Sequence, residues 1–296
     1  MAPDAGRDVG DRRHHQQARL ARDTSSFQVP EDKWSRWLNE ERWGDQAGPF
    51  QAALNSVRDR ILGLAELKPG ATVVDLGAGT GLLGLQAARQ AKREGTVVLV
   101  DVSRDSLASA QSDANVGCER FAVGDALHLP LISGWADAVV IRSVLIYIPD
   151  RLAAAHEIAR VLRPGGRFVA YEPINRRMEQ IVDMTGFEDV RDAYQAAMDK
   201  NTLTNFAEDD LVEAFRGAGF TSVEIVEDDS RFPVRGKEWA HGFRYGAPAG
   251  YNAFDMLLTA RISPERADEF LGHGERLLGD EWRVWRCPCV YLIAVR

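Results

Sequence analysis

Short apolar runs alternate along this chain with stretches in which apolar residues recur every three or four positions. The runs predict buried β-strands, because about four to eight consecutive apolar residues between turn residues are typical of such strands. Strands are predicted over residues 72–76, 97–101, 120–123, 136–142, 167–171, 223–227 and 289–295. The helical spacing between them predicts helices over residues 82–92, 104–115, 151–162 and 209–218.

The alternation of strands and helices favours an α/β fold with a doubly wound, mostly parallel sheet. Seven strands are expected, and the last, at residues 289–295, is expected to run antiparallel and to close an edge of the sheet. Apolar spacing over residues 27–65 predicts helices ahead of the first strand. Residues 174–208 and 230–286 interrupt the alternation, and we expect them to form insertions over the carboxyl ends of the strands, where ligands of such sheets bind.

Composition limits the kinds of partner. With 296 residues, 45% of them hydrophobic, the chain can form one substantial core. Its net charge of −8 disfavours binding through nucleic-acid phosphates, and no nucleic-acid partner is expected. Residues 1–25 contain no continuous apolar run, which predicts a disordered leader. No stretch approaches the roughly 18 apolar residues of a membrane span, so no membrane partner is expected.

Cysteine usage bears on the compartment and on metal binding. Cys118, Cys287 and Cys289 are too few and too unevenly placed for a disulfide framework, which favours a reducing, cytoplasmic location. A metal site at Cys287 and Cys289 is not expected. Two thiolates do not complete a tetrahedral site, and alternate residues of an edge strand point to opposite faces of the sheet.

The first predicted strand leads directly into a glycine-rich turn. Residues 73–81 read Val-Val-Asp-Leu-Gly-Ala-Gly-Thr-Gly, with Asp75 ahead of Gly77, Gly79 and Gly81. Glycines allow a ligand to lie against the backbone where the next helix begins. The dinucleotide fingerprint has a third glycine five positions after the first, to hold a pyrophosphate, and that position is Leu82 here. The pattern therefore predicts a nucleotide-like cofactor without a pyrophosphate.

Polar residues end the next strands. Asp101 ends the second strand, where its carboxylate can bind both hydroxyls of a ribose; a turn-forming or helix-capping aspartate is the alternative. Asp125 follows the third strand within Gly-Asp-Ala, which is also compatible with a simple turn. Arg142 and Ser143 end the fourth strand. These side chains are expected to meet at one edge of the sheet and to face one cofactor.

This succession of motifs resembles the class I, Rossmann-like S-adenosylmethionine-dependent methyltransferases, in their ubiquinone-biosynthesis-like small-molecule branch. The resemblance covers about residues 66–230 and the last strand. It implies S-adenosylmethionine as cofactor, S-adenosylhomocysteine as product and no metal. It assigns Asp125 to the adenine, Asp101 to the ribose, and Arg142 with Ser143 to the methionine part. The residues that it implies for cofactor binding are Arg42, Asp75, Gly77, Ala78, Gly79, Gly81, Asp101, Val102, Asp125, Ala126, Arg142 and Ser143.

The pattern of elements along the chain predicts a division into segments with separate tasks. A helical cap and a substrate-covering insertion are expected to flank a cofactor-binding core that carries a helical insertion of its own. The expected segments are the leader 1–25, the cap 26–66, the core 67–230 with its insertion 174–208, the covering insertion 231–287 and the final core strand 288–296.

A sulfonium methyl group is already electrophilic, so the expected reaction is in-line displacement by an O, N or C nucleophile of a small molecule. A secondary metabolite or a quinone-like aromatic is the expected acceptor, because the insertions are rich in Trp, Tyr and Phe. Glu172, Tyr147 and His241 are the candidates for catalytic roles. The alternatives are a charged strand-end residue for Glu172 and a structural role for His241.

Two other functions stay open from the sequence. A nicotinamide-dependent oxidoreductase would share the α/β fold, although Leu82 replaces its third glycine. A non-catalytic protein that binds S-adenosylmethionine, or that serves as a partner of another enzyme, would retain the same cofactor residues. The sequence is compatible with a monomer and with a homodimer.

Overall fold

The computed structural model describes residues 32–42 and 47–296, and the structural statements below concern those residues. The predicted leader, residues 1–25, lies outside the described residues. So does the first part of the predicted cap.

The described chain begins with two helical segments that precede the sheet. Asp32 starts helix α1 (Lys33–Arg36), because its carboxylate accepts the backbone N–H groups of Trp34 and Ser35 at 3.0 and 3.3 Å. The chain continues as a π-helical turn over Trp37–Glu41. A longer helix, α2, spans Ala47–Leu64 and buries Ile61 and Leu62 against the sheet.

Strands and helices then alternate up to the sixth strand, except that no helix separates the third strand from the fourth and two helices separate the fifth from the sixth. An insertion of three helices and two short strands precedes the last strand. In chain order the elements are β1 (Thr72–Leu76), α3 (Gly84–Ala91), β2 (Thr96–Asp101), α4 (Arg104–Asp113), β3 (Glu119–Val123), β4 (Ala136–Arg142), α5 (Arg151–Val161), β5 (Leu162–Pro173), α6 (Glu188–Met198), α7 (Glu208–Gly217), β6 (Ser222–Asp228), β7 (Arg231–Val234), α8 (Gly236–Tyr245), α9 (Ala253–Thr259), α10 (Pro264–Leu278), β8 (Arg283–Arg286) and β9 (Cys289–Val295).

Seven of these strands form one twisted sheet in the order β3-β2-β1-β4-β5-β9-β6. β9 runs antiparallel to both of its neighbours, and the other strands run parallel to one another. Helices cover both faces. Val74 of β1 packs toward α5 and α7, whereas Val73 packs toward α2 and α3. The predicted doubly wound α/β fold with an antiparallel last strand is confirmed.

The expected position of the last strand was wrong, because β9 lies inside the sheet and β6 forms the edge. The side-chain pattern explains this order. β9 reads Cys-Val-Tyr-Leu-Ile-Ala-Val and is buried on both faces, as a strand with two neighbours requires. β6 reads Ser-Val-Glu-Ile-Val-Glu-Asp, and its exposed polar residues suit an edge.

The two insertions pack on each other around a third apolar cluster. Val190 of α6 joins Trp239 of α8, Leu257 of α9 and Phe270 of α10 in its centre. The second insertion also contains an antiparallel ribbon of β7 and β8, which the sequence analysis did not predict. Each ribbon strand is only four residues long, too short for an alternating pattern to stand out. None of the described helices is long and apolar enough to cross a membrane.

Candidate functional site

A cavity of about 800 Å³ lies at the carboxyl ends of β1, β2, β3 and β4; we call it the first cavity. The turn after β1 forms its floor, and Trp34, Trp37 and Leu38 of the N-terminal segment form one wall. It brings together every residue that the sequence assigned to a cofactor, together with Tyr147. These residues are Arg42, Asp75, Gly77, Ala78, Gly79, Gly81, Asp101, Val102, Asp125, Ala126, Arg142 and Ser143.

The glycine turn owes its shape to contacts within the protein. Gly77 and Gly79 have φ angles of +69° and +52°, which residues with a side chain rarely adopt. A Cβ atom on Gly77 would lie 2.4 Å from Cγ2 of Val144, so the turn packs directly on the segment after β4. A Cβ atom on Gly79 would lie 3.2 Å from Cδ1 of Leu38. The turn therefore packs against the segment after β4 only because residue 77 has no side chain.

The Asp75 carboxylate occupies the N-terminal end of helix α3, where a dinucleotide would place its pyrophosphate. Its side chain is buried, and Oδ2 accepts the backbone N–H of Gly84, the first residue of α3, at 2.7 Å. Burial raises the pKa of Asp75 to about 7 against the opposing effect of this hydrogen bond. The positive end of the helix dipole thus already has a carboxylate partner, which disfavours a phosphate there.

Asp101 links the end of β2 to the glycine turn. Its Oδ2 accepts the N–H of Gly79 at 2.7 Å, and its Oδ1 accepts the N–H of Ser103 at 2.8 Å. Burial raises the pKa of Asp101. The cap of α4 is Ser103, whose hydroxyl accepts the N–H of Ser106, so Asp101 does not cap the helix. The bond of Asp101 to the N–H two residues further on is the turn that the sequence left as the other alternative. Each carboxylate oxygen keeps a second lone pair for a ligand.

The residues after β2 and β3 form an open, largely apolar part of the first cavity. Val102 is 53% exposed, whereas Ala126, which also lines the cavity, is buried. Asp125 is exposed and accepts the N–H of Leu127 at 2.9 Å through Oδ1. Asp125 therefore forms the turn that the sequence allowed, and it still faces the cavity.

Two guanidinium groups converge at the other end of the first cavity. Burial and the neighbouring charge of Arg142 lower the pKa of Arg42 to about 9, and burial also lowers the pKa of Arg142. Arg42 lies over the ring of Trp37, 4.7 Å from its centroid. No carboxylate among residues 32–42 and 47–296 forms an ion pair with Arg142. An anion beside both groups would relieve their repulsion.

Only one of the catalytic candidates Tyr147 and Glu172 lines the first cavity. Tyr147 lines the first cavity and packs edge-on against Trp34 and Tyr251, with centroid distances of 4.9 and 5.3 Å. Burial raises its pKa to about 12, so its hydroxyl is neutral. Glu172 is fully buried and lines neither this cavity nor the next.

The Glu172 carboxylate holds the segment that follows β4. It accepts the backbone N–H groups of Val144, Leu145 and Ile146 at 2.9, 3.1 and 3.3 Å. Burial raises its pKa to about 7, and these three hydrogen bonds oppose that rise. Ser143, just ahead of the segment, has a φ angle of +55°. The geometry therefore makes Glu172 a support for the cavity wall.

A second cavity, of about 890 Å³, adjoins the first and shares Arg42, Leu54, Arg142 and Ser143 with it. Its other walls come from the ends of β5 and β6, from the ribbon and from α8. Residues that contribute to these walls are Tyr171, Ser230, Phe232, His241, Trp285, Cys287, Cys289 and Tyr291. His241 thus lies in the second cavity, away from the glycine turn.

The N-terminal segment and α8 are held together by hydrogen bonds. Nε2 of His241 lies 2.8 Å from the carbonyl oxygen of Glu41, and the indole N–H of Trp37 donates to the carbonyl of Tyr245 at 2.8 Å. This hydrogen bond agrees with the structural role that the sequence left as the alternative for His241, and a catalytic role of His241 stays a prediction. The same bonds hold the N-terminal segment, whose Trp37 lines the first cavity, against α8, whose His241 lines the second.

Sequence reasoning missed several groups of the second cavity. The hydroxyl of Tyr171 lies 2.7 Å from that of Ser230, and both groups face the cavity. Cys287 and Cys289 do not point to opposite faces of an edge strand, as was expected, because Cys287 precedes β9 and both residues line the same cavity. Tyr171, at the end of β5 beside Glu172, could have been found from its strand-end position. No group of three or more metal-ligating side chains occurs in the part of the chain that the structure describes.

Comparisons with known proteins identify relatives of the chain. A sequence model of a methyltransferase domain matches residues 67–219. The ubiquinone/menaquinone biosynthesis C-methyltransferase UbiE of Caulobacter vibrioides is 28% identical over 159 residues, covering 47% of this chain and 63% of that protein. The arsenite methyltransferase of Halobacterium salinarum is 30% identical over 173 residues, covering 56% of this chain and 41% of that protein. The chain thus spans less than two thirds of either relative.

Solved structures show the same fold. The YcgJ protein of Bacillus subtilis superposes with a TM-score of 0.56 over 81% of this chain and 97% of that one. The two sequences are 19% identical, so this likeness concerns the fold alone.

Proposed function

The chain belongs to the methyltransferase-domain family whose sequence model matches residues 67–219, and from that premise we propose that it methylates a small molecule with S-adenosylmethionine. The observation that carries the proposal is the junction of two cavities at Arg142 and Ser143. The first cavity has the groups that a nucleoside-linked amino acid needs, and the second is a separate space for an acceptor. The product of the cofactor is then S-adenosylhomocysteine.

The residues of the first cavity fit this cofactor. Asp101 would hold the ribose hydroxyls through its remaining lone pairs, and Arg42 and Arg142 would hold the carboxylate of the amino acid. The exposed face of Val102 suits an adenine ring, with Asp125 positioned for its amino group. The backbone of Gly77, Ala78, Gly79 and Gly81 would lie along the ligand. Asp75 would shape the turn and contribute negative charge near the ligand's amino group.

The N-terminal end of α3, which already binds the Asp75 carboxylate, favours this cofactor over a nicotinamide dinucleotide. A pyrophosphate needs free N–H groups at the helix start, and there Gly84 already donates to the Asp75 carboxylate at 2.7 Å. A negative phosphate there would also raise the pKa of Asp75 further, because the two negative charges repel each other. S-adenosylmethionine carries no phosphate, so its binding meets neither obstacle.

When bound, the cofactor supplies an electrophilic methyl group on a sulfonium sulfur. The chain's task is to hold an acceptor in line with that group and to keep water out. Trp34, Tyr147 and Tyr251 form an aromatic cluster over the first cavity that serves the exclusion of water. The neutral hydroxyl of Tyr147 is suited to hydrogen bonding with the ligand. Glu172 acts by positioning Ser143 and the segment after it.

The second cavity indicates the chemistry of the acceptor. Tyr171, Phe232, Trp285 and Tyr291 give it flat aromatic walls, which suit an aromatic or otherwise planar acceptor. The hydroxyls of Tyr171 and Ser230 are available to orient an oxygen or nitrogen of that acceptor. We include a quinone-like aromatic in this class, in line with the activity named for the Caulobacter vibrioides relative. His241 contributes to the wall of this cavity rather than to proton transfer.

The test is turnover with S-adenosylmethionine that carries an isotopically labelled methyl group. The full chain is incubated with the cofactor and a panel of small phenols, quinols and heteroaromatic amines, and products are located by mass spectrometry. The proposal predicts a labelled product together with S-adenosylhomocysteine. Asp101→Asn should lower turnover strongly, whereas Asp105→Asn, an exposed residue of α4, should not. Equal turnover in both variants would contradict the assignment of the first cavity.

A further inference from the structure

Cys287 and Cys289 lie together in the wall of the second cavity. Cys287 follows the last residue of β8, and Cys289 is the first residue of β9. The chain bends between them at Pro288, so the Cys289 thiol lies 3.4 Å from the Cys287 carbonyl oxygen. Both residues are buried, with 7% and 3% of their surface exposed, and both face the cavity. A small molecule in the cavity can therefore reach the pair.

Backbone hydrogen bonds fix the two cysteines on either side. The N–H of Cys287 donates to the carbonyl of Ser230 at 2.9 Å, and the carbonyl of Pro288 accepts the N–H of Ile174 at 2.9 Å. Cys289 pairs with Pro173 of β5 and with Asp228 of β6 in the sheet. The two thiols are thus held side by side by the main sheet.

The neighbours of the pair make its two thiols unequal. Hydrogen bonds from Cys287, and then from Tyr171 and Ser230, lower the pKa of Cys289 against the opposing effect of burial. The hydrogen bond to Cys289, together with burial, raises the pKa of Cys287. Of the two thiols, Cys289 is therefore the one whose pKa is lowered, and the Cys287 thiol is its hydrogen-bond partner. A nucleophilic thiolate beside a second thiol is the arrangement that thiol–disulfide exchange requires.

We propose that Cys287 and Cys289 form a thiol–disulfide exchange site whose substrate is a small-molecule disulfide that enters the second cavity. The Cys289 thiolate attacks one sulfur of the disulfide, the S–S bond of the substrate breaks, and the first thiolate leaves and takes up the Cys287 proton. The Cys287 thiolate then attacks Sγ of Cys289 and releases the second thiolate, which is protonated by solvent. The two protein thiols are oxidised to one disulfide, and the substrate is reduced to two thiols.

This activity is separate from methyl transfer and needs neither the cofactor nor the first cavity. The two are connected through the shared wall. Closing the disulfide removes the Cys289 thiolate, which accepts hydrogen bonds from Tyr171 and Ser230. We expect the disulfide to change acceptor turnover without changing cofactor affinity.

The chain contains its own control for reactivity. Cys118 is buried at 2% exposure, and its thiol donates to the carbonyl of Ala88 at 3.7 Å. Burial raises the pKa of Cys118, and this residue lines neither cavity. Cys118 should therefore stay reduced under conditions that oxidise the pair.

The test uses the reduced full chain, 2-hydroxyethyl disulfide as the probe, and intact-mass and peptide mass spectrometry after alkylation in denaturant. The expected result is the loss of two hydrogens and of two alkylatable thiols, mapped to Cys287 and Cys289, with Cys118 alkylated in full. Cys287→Ser should accumulate one 2-mercaptoethanol adduct on Cys289, because the resolving thiol is missing. Cys289→Ser should react at least about tenfold more slowly than Cys287→Ser, since Cys287 is the poorer nucleophile.

Two results would overturn the proposal. One is a wild-type chain in which Cys118 is modified as fast as the pair. The other is a folded chain that keeps all three thiols while a denatured sample of the same chain is modified. Circular dichroism of each serine variant separates a loss of reactivity from a loss of folding. The mass change is measured in the absence of cofactor. The result therefore does not depend on whether the chain transfers a methyl group.

Discussion

The carboxylate of Glu172 accepts the backbone N–H of Val144 at 2.9 Å, although 28 positions separate the two residues in the chain. Val144 in turn packs where a Cβ atom of Gly77 would lie. The end of β5, the segment after β4 and the glycine turn after β1 therefore form one connected support beneath the two cavities. Changes to Glu172 should be felt in the first cavity even though its side chain does not reach it.

Glu172→Gln tests this positioning role. Glutamine keeps one acceptor oxygen but turns an NH₂ group toward backbone N–H donors, so at least one hydrogen bond is lost. We expect the free energy of unfolding to fall by about 1–3 kcal/mol and S-adenosylmethionine to bind more weakly. Chemical denaturation and calorimetric titration measure the two effects. Glu224→Gln, on the exposed side of β6, is the matched control and should change neither.

A catalytic base at Glu172 would give the opposite pattern. In that case Glu172→Gln would abolish turnover and leave both the unfolding free energy and cofactor affinity at the wild-type values.

Arg142→Gln should weaken binding of the cofactor, and only through the contacts with its amino-acid part. We expect S-adenosylmethionine to bind about ten- to a hundredfold more weakly, because a hydrogen bond to a charged group contributes about 1.5–3 kcal/mol. Binding of 5′-methylthioadenosine, which lacks the amino-acid part, should be unchanged. Arg104→Gln, at the exposed start of α4, is the control. Equal weakening of both ligands would contradict the place given to Arg142.

Asp75 should make the stability of the fold depend on pH. Burial raises its pKa from the ordinary 3.8 to about 7, so the folded state retains a proton that the unfolded state has lost. The stabilising effect is complete below the unfolded pKa and disappears as the pH rises through the folded pKa. Between pH 4 and pH 7 the contribution falls by up to about 1.4 kcal/mol per pH unit.

Asp75→Asn removes that titration while an amide oxygen can still accept the Gly84 N–H. Unfolding free energies of wild type and variant, measured from pH 4 to pH 8, should show the steeper decline in the wild type. Parallel curves would mean that Asp75 titrates normally in the folded chain.

Gly77→Ala and Gly70→Ala separate backbone strain from close packing. Both glycines have left-handed φ angles, +69° and +84°, but a Cβ atom on Gly70 meets nothing within 4 Å. Gly70→Ala should cost about 1 kcal/mol of unfolding free energy and leave cofactor affinity unchanged. Gly77→Ala should lower the unfolding free energy by more and should weaken binding of the cofactor, because the added methyl group displaces Val144. An equal loss of unfolding free energy in both variants would contradict the close contact between Gly77 and Val144.

The sequence predicted the first cavity because its residues follow a local rule. Asp75, the glycines and Asp101 stand at strand ends, and parallel strands bring their carboxyl ends to one edge. Strand-end placement also located Glu172, but its three backbone partners depend on the path of the chain after β4. No spacing in the sequence reports that path.

The second cavity could not be predicted for a topological reason. Its cysteines meet Tyr171 and Ser230 because β9 lies between β5 and β6, with Cys289 opposite Pro173 and Asp228. A last strand at the sheet edge would not contact both strands. The order of strands is set by tertiary packing, so the residues that it brings together have no common signal in the sequence.

The most direct test of the account is calorimetric titration of the full chain with S-adenosylmethionine and, separately, with NADH. We predict saturable binding of S-adenosylmethionine in the micromolar range or tighter, and no saturable binding of NADH at the same concentrations. Saturable binding of NADH without binding of S-adenosylmethionine would contradict the account.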